Sequence, residues 1–371
     1  MNFLFVCGGT AGHINPALAI AKELQMQQPE SKFLFVGAGK ELEKRLIPHA
    51  GFHLVNIRMS GLRRSFSPDD LVYNLKTVRN LTTAGVKSEN LLRRFAPSVV
   101  IGTGGYICYP VLLRASQMGI PTLVHESNAV PGLTTKLLSA SVDRVLVSFP
   151  GLEKLYRRPD RVMFTGTPVR EGFGTESGNE EAPARGSKPL VLSFWGSLGA
   201  ERMNERMTEF VKCNIDAGLF DHVHVAGKDG VDVIRSRLRL LGVPDELPPG
   251  IEIREYIENI LPFMSAADII LCRAGGSTIA ELTVAGKPAV LIPSPYVTNN
   301  QQEENAKQVQ KTGGAILIRE KDCTGESLFE VISFLLSDGE RLQTMADAQK
   351  ALGAPDAAKR IAGLALELCR E

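Results

Sequence analysis

The residues best suited to chemistry in this 371-residue chain lie in three glycine-rich turns: Gly8-Gly9-Thr10-Ala11-Gly12, Gly102-Thr103-Gly104-Gly105 and Arg273-Ala274-Gly275-Gly276-Ser277-Thr278. A fourth, Gly196-Ser197-Leu198-Gly199, is shorter. A helix N-terminus offers unpaired N–H groups and a partial positive charge, and glycine lets an anion approach closely, so the chemistry these turns suit is phosphate binding. None reads G-x-G-x-x-G, which removes the support for a dinucleotide. None reads G-x-x-x-x-G-K-[ST]; "GAGKE" (37–41) lacks the first glycine and the hydroxyl. One such turn could merely close a strand–helix connection. Three at the carboxyl ends of parallel strands point to binding, because ligands sit at that edge of open sheets.

The third turn is the most informative. Its helix is expected to open at Ser277 or Thr278, which places Glu281 one turn in, able to accept from sugar hydroxyls. Thr278 and Glu281 also fit a capping box, and the sequence leaves both readings open. Downstream, Asn299, Asn300, Gln301, Gln302 and Asn305 are crowded together. Amides donate and accept, which suits a neutral polyol such as a sugar; the plainer reading is an exposed polar helix start. His13 follows the first turn, where an imidazole could take a proton from an attacking hydroxyl. His125 and Glu126 end another strand at the same edge, where the pair serves catalysis or merely caps the strand.

Other constellations carry less. His222 and His224 share a strand face without further ligands at metal-binding spacing. No D-x-D occurs to clamp a metal on a diphosphate, and no G-x-S-x-G elbow is present. Residues 60–81 mix Arg63, Arg64, Lys76 and Arg79 with Leu71, Leu75 and Val78. They read either as a core helix or as a basic, apolar patch that leans on anionic lipid.

Alternating strands and helices must position these groups. Apolar runs at 2–7, 32–37, 98–102, 121–126 and 144–149 read as buried parallel strands, and a second series follows at 189–195, 222–227, 251–256, 268–272 and 288–293. The polar stretch 172–188 separates the two series and reads as a flexible surface segment. The expectation is an α/β protein of two doubly wound domains, ending in an amphipathic helix. A net charge of +1 gives no global basic field to draw nucleic acid. Six cysteines without a C-x-x-C pair read as reduced thiols in a cytosolic setting. The start "MNFLFVCGG" reads as a first strand, not a signal peptide, and no apolar run reaches the ~18 residues of a membrane span.

Taken together, "GGTAGHINPALA" (8–19), "SGLR" (60–63), "GTGGYICYP" (102–110), "HESNAVPGLTTKLL" (125–138), "GTPVR" (166–170), "CRAGGSTIAEL" (272–282) and "NNQQEENA" (299–306) resemble the UDP-N-acetylglucosamine–N-acetylmuramyl-(pentapeptide) pyrophosphoryl-undecaprenol N-acetylglucosamine transferase family, the MurG family. The resemblance covers nearly the whole chain. It implies a GT-B fold, two Rossmann-like domains facing a cleft: residues 1–167 with the C-terminal helix 356–371 for the acceptor, and 168–355 for the UDP-GlcNAc donor. It implies inverting transfer without metal or cofactor, from UDP-GlcNAc to the C4 hydroxyl of lipid I, at the cytoplasmic face of the cell membrane. His13 would be the base and Glu126 the reserve. Thr10, Gly12, Asn128, Arg170, Ser197, Ile257, Gly276, Ser277, Thr278, Glu281, Gln301, Gln302 and Asn305 would meet the donor, and Gly9, Gly104, Gly105 and Tyr106 the acceptor diphosphate. Implied partners are the anionic membrane surface and cell-wall or division proteins, with no nucleic acid. The chain departs from the family at Trp195 and Leu198, where Gly-Gly-Ser-Gln-Gly is common, and at Ser127 and Thr167. The rivals are a GT-B transferase with a soluble acceptor, a UDP-GlcNAc epimerase, and a non-catalytic nucleotide-sugar sensor.

Overall fold

Strands buried on both faces need helices on both sides, and the apolar runs of this chain are covered in that way. The computed structural model describes residues 1–57, 59, 83–170, 186–196 and 200–370. They divide into two units, Met1–Glu171 with Ala354–Glu371, and Gly172–Gly353. Arg63, Arg64, Leu71, Leu75, Lys76, Val78, Arg79 and Ser197, as well as most of the 172–188 segment, lie outside the described residues.

In the first unit, β1 (Asn2–Cys7), β2 (Lys32–Gly37), β3 (His53–Asn56), β4 (Val99–Gly104), β5 (Thr122–Glu126), β6 (Arg144–Val147) and β7 (Val162–Phe164) form one parallel sheet in the order β3-β2-β1-β4-β5-β6-β7. Its helices are α1 (Ala11–Gln27), α2 (Glu41–His49), α3 (described over 83–95), α4 (Cys108–Gln117) and α5 (Leu133–Leu138). Phe3 and Phe5 of β1 stack on Phe33 and Phe35 of β2 at 5.3 and 5.0 Å, which fixes the register of the pair. The terminal helix α13 (Ala357–Leu368) belongs to this unit. Its Ile361, Ala362 and Ala365 share a core with Ile20, Ala21 and Leu24 of α1.

The second unit repeats the plan. β8 (Leu190–Phe194), β9 (Asp221–Val225), β10 (Ile251–Arg254), β11 (Ile269–Cys272), β12 (Ala289–Leu291) and β13 (Ala315–Leu317) are parallel in the order β10-β9-β8-β11-β12-β13. The helices are α6 (Glu201–Ala217), α7 (Gly230–Leu240), α8 (Leu261–Ala266), α9 (Gly276–Ala285), α10 (Gln301–Thr312), α11 (Gly325–Ser337) and α12 (Gly339–Leu352). In each sheet the strand order reverses beside the first strand, between β1 and β4 and between β8 and β11. At such a point neighbouring loops leave in opposite directions and a ligand crevice opens at the carboxyl ends. The first, second and third glycine turns all follow these strands.

His222 and His224 do share a face, and it is the core face. The Ser193 hydroxyl lies 2.8 Å from His222 Nε2 and 2.7 Å from His224 Nδ1, and His224 Nε2 lies 3.3 Å from Asn204 Oδ1. Both rings are fully buried. Among the described residues no group of three or more His, Cys, Asp or Glu could hold a metal, and no helix is long and apolar enough to cross a membrane.

Burial lowers the pKa of His224 to about 3 and of His125, on β5, to about 4, and pushes His222 well below the usual histidine value. All three are neutral when folded, while the unfolded chain protonates them near ~6.5. The unfolded state therefore binds more protons below about pH 6.5, so stability is full above that value and falls as the pH drops towards about 4. Urea denaturation will give a lower midpoint at about pH 5 than at about pH 7.5. Ser193→Ala, which removes the hydroxyl shared by two buried imidazoles, will lower stability by ~1–3 kcal/mol at neutral pH.

Candidate active site

In the first unit, two backbone turns approach each other at the β1–β4 crossing. The Gly8 amide donates to the Gly104 carbonyl at 3.2 Å. A register shift follows: Val6 pairs with Gly102 but Cys7 with Gly104, so Thr103 is an extra residue in β4. Bulges of this kind re-aim side chains beside functional sites, and here the Thr103 hydroxyl donates to the His13 carbonyl at 2.6 Å. Gly104 and Gly105 have φ of +125° and +91°. A Cβ on Gly104 would overlap the His13 ring, and one on Gly105 would lie 2.6 Å from the Gly8 carbonyl oxygen. Only glycine permits this approach.

The approach sets the imidazole. His13 Nδ1 is 2.8 Å from the Gly8 carbonyl oxygen, with the Thr10 hydroxyl at 3.4 Å. A carbonyl can only accept, so Nδ1 carries the proton and the neutral ring keeps its lone pair on Nε2. Thr10 is the N-cap residue of α1, with Gly12 in the first turn, and Tyr106 is half exposed beside Gly105. Gly9, expected at the acceptor diphosphate, has its amide turned to the protein interior. Its N–H is engaged by the buried carboxylate of Glu43, 2.9 Å to Oε1.

Glu43 is the residue that sequence reading missed here. Its Oε2 accepts from the Gly39 and Lys40 amides at 2.8 and 3.0 Å, so the "GAGKE" loop encloses an internal carboxylate. Seen alone, Glu43 reads as one more charge on α2; its only signal was the glycines at 8 and 37 that make room for it.

At the end of β5, Glu126 is also buried. Its Oε1 accepts from the Asn128 backbone at 3.2 Å and side chain at 3.0 Å, and its Oε2 from the Gly132 amide at 2.9 Å. Both oxygens therefore hold the 128–132 loop. His125 Nε2 meets the Gly166 carbonyl at 3.0 Å inside the core.

In the second unit α9 begins at Gly276, earlier than expected, with Gly275 as its N-cap residue. A capping box would need its carboxylate at Thr278, so Glu281, the sixth helical residue, is no part of one. The Gly276, Ser277 and Thr278 amides form the first turn of this helix. Asn305 is fully buried and donates to the Ala274 carbonyl at 3.1 Å, so it braces the turn from inside rather than facing a ligand. Gln301 opens α10, and Gln302 beside it accepts the Ser294 amide at 2.8 Å. Ile257 follows β10, and Arg170 lies near the end of the first unit's main segment. The expected donor set thus falls in both units: Thr10, Gly12, Asn128 and Arg170 in the first, the rest in the second.

A pocket of 540 Å³ opens in the second unit, lined among others by Trp195, Arg202, Arg273, Ser294, Tyr296 and Gln302. Arg273 was given no role of its own from sequence. It is buried, donates to the Ile292 carbonyl at 3.0 Å and to Glu320 at 2.6 Å, and lies 5.7 Å over the Trp195 ring. The indole N–H of Trp195 is buried and has no hydrogen-bond partner among the described residues. Breaking a buried ion pair from one side leaves the other charge poorly compensated, and here Glu320 would keep only the longer contact to Arg206 at 3.9 Å among the described residues. Arg273→Met will lower stability in urea denaturation by about 3–5 kcal/mol, and adding Glu320→Leu will recover most of it.

Residues 3–147 match the glycosyltransferase family 28 N-terminal domain and residues 190–361 its C-terminal domain. A UDP-N-acetylglucosamine–N-acetylmuramyl-(pentapeptide) pyrophosphoryl-undecaprenol N-acetylglucosamine transferase of Acetivibrio thermocellus is 40% identical over 97% of this chain and 96% of its own length. Its namesake from Caldanaerobacter subterraneus subsp. tengcongensis is 42% identical over 97% and 98%. The crystal structure of MurG from Acinetobacter baumannii superposes with a TM-score of 0.76 at 26% identity, over 99% of this chain and 100% of that one. The two Rossmann-like sheets are those of the GT-B fold, and the chain belongs to glycosyltransferase family 28, among the transferases that these relatives represent.

Proposed function

We propose that this chain transfers N-acetylglucosamine from UDP-GlcNAc to the C4 hydroxyl of lipid I, with inversion, to form lipid II. The observation that carries this reading is the full-length similarity to transferases of that name. The geometry supports it. The second unit would take the donor: the first-turn amides of α9 face the leaving diphosphate, Glu281 the ribose, and Gln301 and Gln302 the sugar. The first unit would take the acceptor diphosphate at the Gly104–Tyr106 turn. His13 Nε2, with its lone pair, is the base that receives the C4 proton as oxygen attacks the anomeric carbon and UDP departs. Glu126, with both oxygens engaged, would hold the loop that carries Asn128. A lipid-linked acceptor requires a membrane surface, and we assign residues 60–81 to that contact.

Transfer of radiolabelled sugar from UDP-GlcNAc to a lipid I analogue tests the reading, and it will proceed equally with EDTA present. Label reaching a soluble acceptor but not the lipid would point to another transferase, and solvent deuterium entering UDP-GlcNAc without acceptor to an epimerase. Glu281→Ala will weaken UDP-GlcNAc binding about 10- to 100-fold in calorimetry, through loss of a charge-assisted hydrogen bond worth ~1.5–3 kcal/mol. Unchanged binding would remove the ribose role.

A further inference from the structure

We infer that Glu43 is a positioning residue for transfer: it sets the Gly8–Gly9 turn and, through the Gly8 carbonyl, the ring of His13. The inference rests on the functional reading above and deepens its acceptor side. Glu43 is fully buried, 34 residues from the turn it holds, and its carboxylate takes three amide N–H groups from two loops. One of those bonds, to Lys40 N, is what an N3 glutamate makes in capping its own helix. Capping explains Oε2. It does not explain Oε1, which bridges to Gly9, nor the close seat of the carboxylate against Gly8 and Gly37, where a Cβ would lie 2.8 and 2.6 Å from its oxygens.

The coupling to His13 is short. Glu43 Oε1 fixes the Gly9 amide, and the peptide plane containing that amide carries the Gly8 carbonyl at its other end. That carbonyl is the acceptor for His13 Nδ1 at 2.8 Å. Rotating this plane moves the carbonyl and, with it, the atom that holds the imidazole in its Nδ1–H form. An anion is needed because all three contacts are donors, and a carboxylate is the side chain that can only accept. A glutamine of the same shape would aim an NH2 group at one of the loops. The same bond keeps the Gly9 amide from any phosphate, so the acceptor diphosphate must find its donors elsewhere on the first unit.

The test uses full-length Glu43→Gln and Glu43→Asp. Acceptor kcat/KM is followed across pH with the lipid I analogue, and UDP-GlcNAc Kd by calorimetry. Glu43→Gln will lower acceptor kcat/KM by about 100-fold, as misplacement of a reacting group by ~1 Å does. It will move the acidic limb of the pH profile and leave the UDP-GlcNAc Kd within about twofold. Glu43→Asp, which keeps two accepting oxygens, will recover part of the loss. If the glutamine variant does not fold, the aspartate variant carries the same readouts. Unchanged acceptor kinetics and pH profile in the variants would overturn the inference. So would a loss matched by equal weakening of UDP-GlcNAc binding, which would make Glu43 a residue of general stability. A wild-type protein that binds UDP-GlcNAc but transfers nothing to the lipid would overturn the functional reading first, and this inference with it.

Discussion

Everything at the first site depends on two stretches of backbone coming closer than side chains allow. Gly8 reaches Gly104, Gly105 sits against the Gly8 carbonyl, and the His13 ring occupies the space a Cβ on Gly104 would fill. The absence of two methyl-sized groups thereby becomes the position of a ring. The hydroxyl of Thr103 holds the His13 carbonyl, and the carboxylate of Glu43 holds the Gly9 amide. A backbone carbonyl selects the tautomer of this histidine, the role a carboxylate often plays.

The second unit solves a similar problem with buried polar groups. Its turn is braced from beneath by the Asn305 amide, and beside it Arg273 is held between Glu320, a backbone carbonyl and the Trp195 ring. Buried ion pairs are weak evidence for stability, since desolvation offsets much of the attraction. Their better-attested value is fixing one arrangement, and Arg273 lies at the carboxyl end of a central strand, where arrangement matters. Trp195 is among the residues that line the pocket there.

Much of the fold was legible because most of its central parallel strands carry runs of apolar residues. All ten apolar runs read as strands are strands. The three that were not read, β3, β7 and β13, lie at sheet edges, are three or four residues long and keep partly exposed residues. With one neighbour and one wet side, such a strand needs no continuous apolar run. The glycine turns were legible as sites because glycine is selected for space as well as for conformation. What fills that space was not: Glu43 and Glu320 meet partners 34 and 47 residues away, and no local pattern encodes such a distance. The helix start at Gly276 was missed by a residue or two, and that small shift takes Glu281 out of the capping-box position. The amphipathic pattern of α13 announces that it is covered, while its seat on α1 is a long-range fact.

The central claim is that backbone geometry at the β1–β4 crossing fixes the His13 imidazole with its proton on Nδ1. Nitrogen NMR of the histidine-labelled protein near neutral pH reads this directly. The account predicts a single tautomer for the neutral form of the ring at position 13, protonated at Nδ1 and bare at Nε2, and loss of that single tautomer in Gly104→Ala. A wild-type ring protonated at Nε2, or averaging freely between the two tautomers, would contradict it.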